Sequence, residues 1–238
     1  MTRLLKALTL AMSAMALFGV MASAAHAETG KLTTGVYPAI LTGEIEPGGT
    51  GFAVGGYNVQ CSTSTTTGTI VGPVDPVTLI PTFANCVAQP GATPVTVTTN
   101  GCDFQFGVSR PGTTGIASPT TGRLQAWLIC PAGKWLEIHV YQNAFQHAMN
   151  ISTCTYDLGT QGPVPGGIYH NTNPVGAPPD VLMTIDATFN AINTIGPAGI
   201  CGGEAGQQIP VTVGGNYTIR AYEDLGGAEG AQIPTWID

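Results

Sequence analysis

Six cysteines set the strongest limits on how this chain folds. None of them forms a C-x-x-C pair or a Cys/His cluster with zinc spacing. In an oxidising compartment such cysteines form structural disulfides, which stabilise a fold by restricting the unfolded chain. The sequence therefore predicts a protein held together by three disulfides among Cys61, Cys86, Cys102, Cys130, Cys154 and Cys201.

The N-terminus indicates export. Arg3 and Lys6 precede a long uncharged apolar run that ends in Ala25-His26-Ala27, and polar residues follow at once. This arrangement is typical of a secretory signal peptide, which is removed after export; a retained membrane anchor is the alternative. We predict a signal peptide at residues 1–27 and a single disulfide-bonded β domain at residues 28–238, with a subdomain break near residue 160 as a variant.

The charge of the predicted mature chain limits its partners. Five basic and fourteen acidic residues remain after residue 27, which gives a formal charge of −9. Nucleic acid and anionic membranes both bind through clustered Lys and Arg. We therefore expect no nucleic acid and, after signal cleavage, no membrane as a partner. Cell-wall glycan and self-association remain, and no cofactor is expected.

Alternating apolar and polar residues recur along the chain and predict many short β-strands. Examples are VTVTT from residue 95, LEIHVY from 136, VLMTIDATF from 181 and YTIRAY from 217. Turn-forming clusters such as QPGATP from residue 89 and GPVPGG from 162 separate them. This pattern predicts an all-β fold, an antiparallel β-sandwich of Ig-like or Greek-key type. The stretch 142–150 is predicted to be a loop or a single helical turn.

Six cysteines allow fifteen pairings, which sequence alone does not resolve. Local register ranks them, because a hairpin that sets Cys102 opposite Cys130 also builds an apolar face. That face pairs Phe104 with Leu128, Phe106 with Ala126 and Val108 with Leu124. A slip of one residue destroys the face. We favour Cys102–Cys130, and the turn-rich midpoints of the other two loops favour Cys61–Cys86 and Cys154–Cys201.

The segment CDFQFG from Cys102 has an echo in CTYDLG from Cys154. In a strand, alternate residues point to the same side, so each cysteine shares a face with the two large apolar residues that follow it. We interpret both segments as scaffolding, in which a disulfide fixes the start of a buried strand.

The sequence CPAGK from Cys130 predicts a three-residue hairpin loop with Gly133 in the left-handed conformation. That loop would add a third strand beside the hairpin that the Cys102–Cys130 disulfide joins. It would also set Leu128 opposite Leu136, Ala126 opposite Ile138 and Leu124 opposite Val140.

The other side of this predicted meander carries aromatic and hydrogen-bonding side chains. Such a face suits a sugar ring or a flat apolar ligand, and the alternative is that Trp127 and Ile129 pack under another strand or loop while the other side chains are solvated. The candidate binding residues are Gln105, Gln125, Trp127, Trp135, Glu137, His139 and Tyr141.

Catalytic and metal residues are not assigned. No serine lies in a nucleophile motif, and Glu137 with His139 share a strand face without an evident third partner. Paired carboxylates of glycosidase type meet only in the folded chain. The leading hypothesis is a non-enzymatic structural or adhesive protein of the extracellular space or cell envelope. A carbohydrate- or small-ligand-binding module is second, and a secreted hydrolase is third.

Several segments resemble a known group of proteins. They are FANC, VTVTTNGCDFQF, LICPAGKWLEIHVY, CTY, ICGG and NYTIRAYED. Together they look like an uncharacterised family of exported six-cysteine β proteins from high-GC Gram-positive bacteria, over most of residues 57–238. The resemblance implies export and a cysteine-bridged β fold. It supplies no activity and no catalytic residue.

Overall fold

The structure is a computed structural model that describes residues 30–46, 50–110, 121–172 and 178–237. The predicted signal peptide lies outside the described residues. The strands of the first half are β1 (Leu32–Thr34), β2 (Ala39–Ile45), β3 (Thr50–Val54), β4 (Tyr57–Ile70), β5 (Val77–Gln89), β6 (Thr93–Thr98), β7 (Asp103–Arg110) and β8 (Thr121–Ile129). The second half contains β9 (Leu136–Val140), α1 (Ala144–Ala148), β10 (Cys154–Leu158), β11 (Gln161–Asn171), β12 (Val181–Ile195), α2 (Ala198–Cys201), β13 (Gln208–Asp224), β14 (Glu229–Ile233) and β15 (Thr235–Ile237).

The fold is all-β, antiparallel and sandwich-like, so the predicted fold class is confirmed. Burial alternates strictly along most of β12, where every second side chain from Val181 to Ala191 is buried. This two-residue period is the physical origin of the fold, since each strand has one face that must leave water.

Four long strands, β4, β5, β12 and β13, organise the sheets. The neighbours from β7 through β8, β11, β12, β13, β2, β4 and β5 form a ring that closes where β5 pairs with β7. A second ring runs through β6, β9, β10, β12, β13, β3, β4 and β5 and closes where β5 pairs with β6. Closure gives each strand of both rings two neighbouring strands, which shortens the edge that is open to pairing with other chains.

The interior is packed with the inward side chains of these strands. Aromatic rings lie at its centre, where the ring centroids of Phe104 and Phe189 are 6.0 Å apart. An apolar cavity of about 20 Å³ lies beside them and is also lined by Met183 and Tyr217. Since that volume holds about one water molecule, it is far too small for an organic ligand.

Three disulfides join the predicted pairs. Cys61–Cys86 links β4 to β5, and Cys102–Cys130 links the residue before β7 to the residue after β8, with Cα–Cα distances of 3.9 and 4.1 Å. Cys154–Cys201 joins the start of β10 to the end of α2 at 5.7 Å. Each therefore ties together segments that are distant along the chain but adjacent in the fold.

The register predicted for the stapled hairpin is confirmed. Phe104 lies opposite Leu128, and Phe106 lies opposite Ala126. The interpretation of CDFQFG and CTYDLG as scaffolding agrees with their burial, because Cys102, Phe104 and Phe106 are all nearly inaccessible to solvent. The same holds for the echo at Cys154, Tyr156 and Leu158, each 0% exposed.

The predicted third strand of that meander is wrong. The turn itself forms, since Lys134 N–H donates to the carbonyl of Pro131 at 3.0 Å and Gly133 has φ +71°. However, β9 pairs with β6 and β10, while β11 occupies the place beside β8. Leu136 is buried in either arrangement, because alternation specifies the buried face of a strand and not its neighbour.

The stretch 142–150 contains the five-residue helix α1, close to the predicted single turn. The side chain of Asn143 caps it by accepting from Gln146 N–H at 2.9 Å. Among the described residues, no helix has the length and apolar character needed to cross a membrane.

Candidate ligand-binding face

The structure divides the predicted aromatic platform into two separate faces. Because β9 is not a neighbour of β8, the predicted continuous surface does not form. One face, on β7 and β8, carries Gln105, Gln125 and Trp127. The other is built around β9 and carries Trp135, Glu137, His139 and Tyr141.

Packing constrains the face on β7 and β8. The indole of Trp127 lies against two glycines, and a Cβ at Gly107 would be only 3.0 Å from it and a Cβ at Gly162 only 2.8 Å. Gln105, directly opposite Trp127, donates to the hydroxyl of Thr78 at 3.2 Å. Trp127 is therefore held between Gly107 of β7 and Gly162 of β11 and stays partly exposed.

The face around β9 is assembled by strand register. Glu137 lies opposite Asp157 of β10, and His139 lies opposite Thr155. On the other side, β6 places Thr98 beside Glu137. We call this surface the Trp135 face and define it by Trp135, Glu137, His139, Asp157, Thr96 and Thr98, together with the buried Thr155 on the same side of the sheet.

A chain of hydrogen bonds fixes His139. Its Nε2 lies 3.1 Å from Glu137 Oε2, and its Nδ1 lies 3.3 Å from the hydroxyl of Thr155. An ionised carboxylate only accepts, so Nε2–H donates to Glu137. The hydroxyl of Thr155 is in turn 2.8 Å from that of Ser152. The pair of Glu137 and His139 noted in the sequence thus has Thr155 as a third member.

The segment around α1 covers one end of the Trp135 face. Tyr141 is only 2% exposed, its ring stacks near His139 and meets the edge of His147, and its hydroxyl donates to Asn150 at 2.8 Å. Because Tyr141 lies beneath this segment, it is a packing residue and not part of an exposed platform.

The other end of the face remains open at Trp135. Trp135 is 40% exposed and immediately precedes β9. The indole lies over Gly159, where a Cβ would be 3.6 Å from Nε1, while Asn100 holds the Trp135 carbonyl through a 2.9 Å hydrogen bond. An aromatic ring with one free side on a fixed backbone is suited to stacking against a ligand.

Asp157 is the least satisfied polar group of this face. Its Oδ1 is buried and has no hydrogen-bond partner among the described residues. Burial raises the pKa of Asp157, the Glu137 carboxylate raises it further, and His139 lowers it in part. The pair of carboxylates therefore lacks full compensation by the surrounding protein.

Sequence reasoning missed Asp157 and Thr155 as members of the site. In CTYDLG the core residues Cys154, Tyr156 and Leu158 alternate with Thr155 and Asp157, of which Thr155 is also buried and Asp157 is partly exposed. The available signal was the alternation itself, which places Thr155 and Asp157 on one face. Their apposition to His139 and Glu137 depends on the pairing of β9 with β10.

The described residues contain no group of three or more His, Cys, Asp or Glu side chains that could hold a metal ion. In the comparisons, no family model, no curated protein and no solved structure matches this chain. The Trp135 face is thus defined by its own geometry, as an exposed indole beside a row of hydrogen-bonding side chains.

Proposed function

We propose that this protein is a secreted, non-enzymatic protein of the extracellular space or cell envelope that binds carbohydrate through the Trp135 face. The observation that carries the proposal is the 40% exposed indole of Trp135, seated over Gly159 beside the outward carboxylate of Glu137. Sugar rings stack on exposed indoles through their C–H faces, and neighbouring acceptors bind their hydroxyl groups.

The spacing of the face supports this role. Side chains two positions apart on a strand are separated by roughly 7 Å, so Trp135 and Glu137 are close enough to contact the same sugar unit. The partly exposed carboxylate of Glu137 is oriented by His139 and is not free to rotate away. Such fixed acceptors lose little entropy when they bind a ligand.

Secretion is supported by the signal-peptide pattern of residues 1–27 and by three disulfides, which persist in oxidising compartments. Binding to a glycan of the cell envelope would also supply the adhesive role that the sequence suggests. Self-association stays a prediction that sedimentation of the purified mature protein tests.

A glycan array tests the proposal directly. The mature, oxidised protein is expected to give hits that Trp135→Ala abolishes. Trp127→Phe is the control, since it changes the indole on β8, outside the Trp135 face, and should keep the same hits. A blank array, or hits that Trp135→Ala leaves unchanged, would refute carbohydrate binding at this face.

A further inference from the structure

The two carboxylates of the Trp135 face form a cross-strand pair. Glu137 and Asp157 lie directly opposite each other on β9 and β10, and the Cβ atoms of such a pair are about 5 Å apart. Like charges in this position repel each other and are destabilising. The Glu137 side chain is 35% exposed, so this pair is open to a ligand from the Glu137 side.

The protein itself supplies little positive charge to this pair. His139 donates to Glu137 at 3.1 Å, and no hydrogen bond or ion pair links Asp157 Oδ1 to any described residue. Lys134 forms no ion pair among the described residues, and Arg220 is engaged elsewhere with Glu44 at 2.9 Å. His147 of α1 hydrogen-bonds Thr96 at 3.3 Å on the covered side. Two carboxylates held opposite each other with so little compensating charge repel, and a cation bound beside them would relieve that repulsion.

The indole of Trp135, which neighbours these carboxylates, also favours a cation. An indole attracts a cation positioned over its face through the ring quadrupole. Trp135 precedes Glu137 by two residues on the same side of the strand, so one ligand can place a sugar ring on the indole and an ammonium group on the carboxylates. Anionic sugars such as uronic acids are repelled by the same pair.

We infer that the Trp135 face binds a glycan that contains unacetylated amino sugars, with the ammonium group placed between the Glu137 and Asp157 carboxylates beside the Trp135 indole. This inference rests on the proposed carbohydrate-binding function and specifies its ligand class. Charge-assisted hydrogen bonds from an ammonium to a carboxylate are the strongest polar contacts such a face can make.

The experiment compares two hexasaccharides that differ only in acetylation. Calorimetry measures binding of the β-1,4-linked glucosamine hexamer and of its fully N-acetylated counterpart at one mildly acidic pH, where the amines are protonated. The glucosamine hexamer is expected to bind at least about tenfold more tightly, the gain typical of a hydrogen bond between charged groups. Added salt should reduce this preference.

Variants test the preference for amino sugars separately from carbohydrate binding itself. Asp157→Asn and Glu137→Gln should each remove most of the preference, whereas Asp186→Asn, a neutralised exposed strand aspartate on β12, should retain it. Thermal melts verify that each variant folds. Equal binding of both hexamers, or a preference that survives Asp157→Asn and Glu137→Gln, would overturn the amino-sugar assignment. Failure of every glycan to bind would overturn the carbohydrate-binding function instead.

Discussion

The hydroxyl groups of Ser64 and Tyr217 lie 2.9 Å apart in the interior, although 153 residues separate them in the chain. Ser64 belongs to β4 and Tyr217 to β13, and β2 runs between these two strands. Gly43 of β2 lies two residues further along, between Thr66 and Ile219, and a Cβ there would be 2.7 Å from Ile219. The contact between Ser64 and Tyr217 is thus a buried polar contact between two strands that are not direct neighbours.

Loss of the Ser64 partner should destabilise the fold. Tyr217→Phe keeps the ring but leaves the 1% exposed Ser64 hydroxyl without that bond. A buried unsatisfied hydroxyl costs about 1–3 kcal/mol, so the free energy of unfolding in urea should fall by that amount. The double variant with Ser64→Ala should lose less than the two single losses combined. Strictly additive losses would show that the two hydroxyls do not interact.

Removal of the Thr66 hydroxyl should stabilise the fold. Its hydroxyl is buried and has no partner among the described residues. Thr66→Val has nearly the same shape and removes the unsatisfied group, so the free energy of unfolding should rise by about 1 kcal/mol. The exposed neighbour Thr67 provides the control, since Thr67→Val should change stability by less than about 0.5 kcal/mol. A destabilised Thr66→Val variant would mean that the hydroxyl has a partner in solution.

Removal of the hairpin disulfide should reduce stability substantially. Cys102 and Cys130 are 28 residues apart, and closure of a loop of this length contributes about 3–4 kcal/mol in the chain-entropy model. The double variant Cys102→Ser with Cys130→Ser should lose that much free energy of unfolding in denaturant titrations. Peptide mapping of the unreduced protein gives an independent check. A fragment that joins Cys102 to another cysteine would contradict the observed register.

Asp157 should contribute more to the stability of the fold at acidic pH than at neutral pH. Its pKa in the fold is raised above the ordinary value of 3.8 by burial and then by Glu137, so the folded state holds the proton more tightly than the unfolded state. The contribution of Asp157 to the free energy of unfolding is therefore fully present below its pKa in the unfolded chain. It is lost as the pH rises through its pKa in the folded protein.

Asp157→Asn removes this titration. The melting temperature of the variant, relative to the wild type, should therefore be higher at neutral pH than near pH 3.8. Asp186→Asn corrects for the loss of one negative charge. A difference between variant and wild type that stays constant across this range would show that Asp157 is not perturbed.

Part of the candidate site could be predicted from the sequence. Glu137 and His139 are two residues apart in a strand, so their shared face and mutual contact follow from alternation alone. Trp135 belongs to the same outward series. In contrast, the inclusion of Trp127 and Gln105 depended on a neighbouring position for β8 and β9 that the fold does not contain.

The register of the Cys102–Cys130 hairpin and the buried face of each strand were determined by the sequence itself, because both depend on short-range periodicity and turn chemistry. The choice of neighbour for β9 was decided by the tertiary structure. After Cys130 the chain leaves β8 and pairs with β6 and β10, so the two rings can close. That choice placed Asp157 opposite Glu137, since backbone hydrogen bonds between distant strands carry no local sequence signal and are selected by the closure of the whole fold.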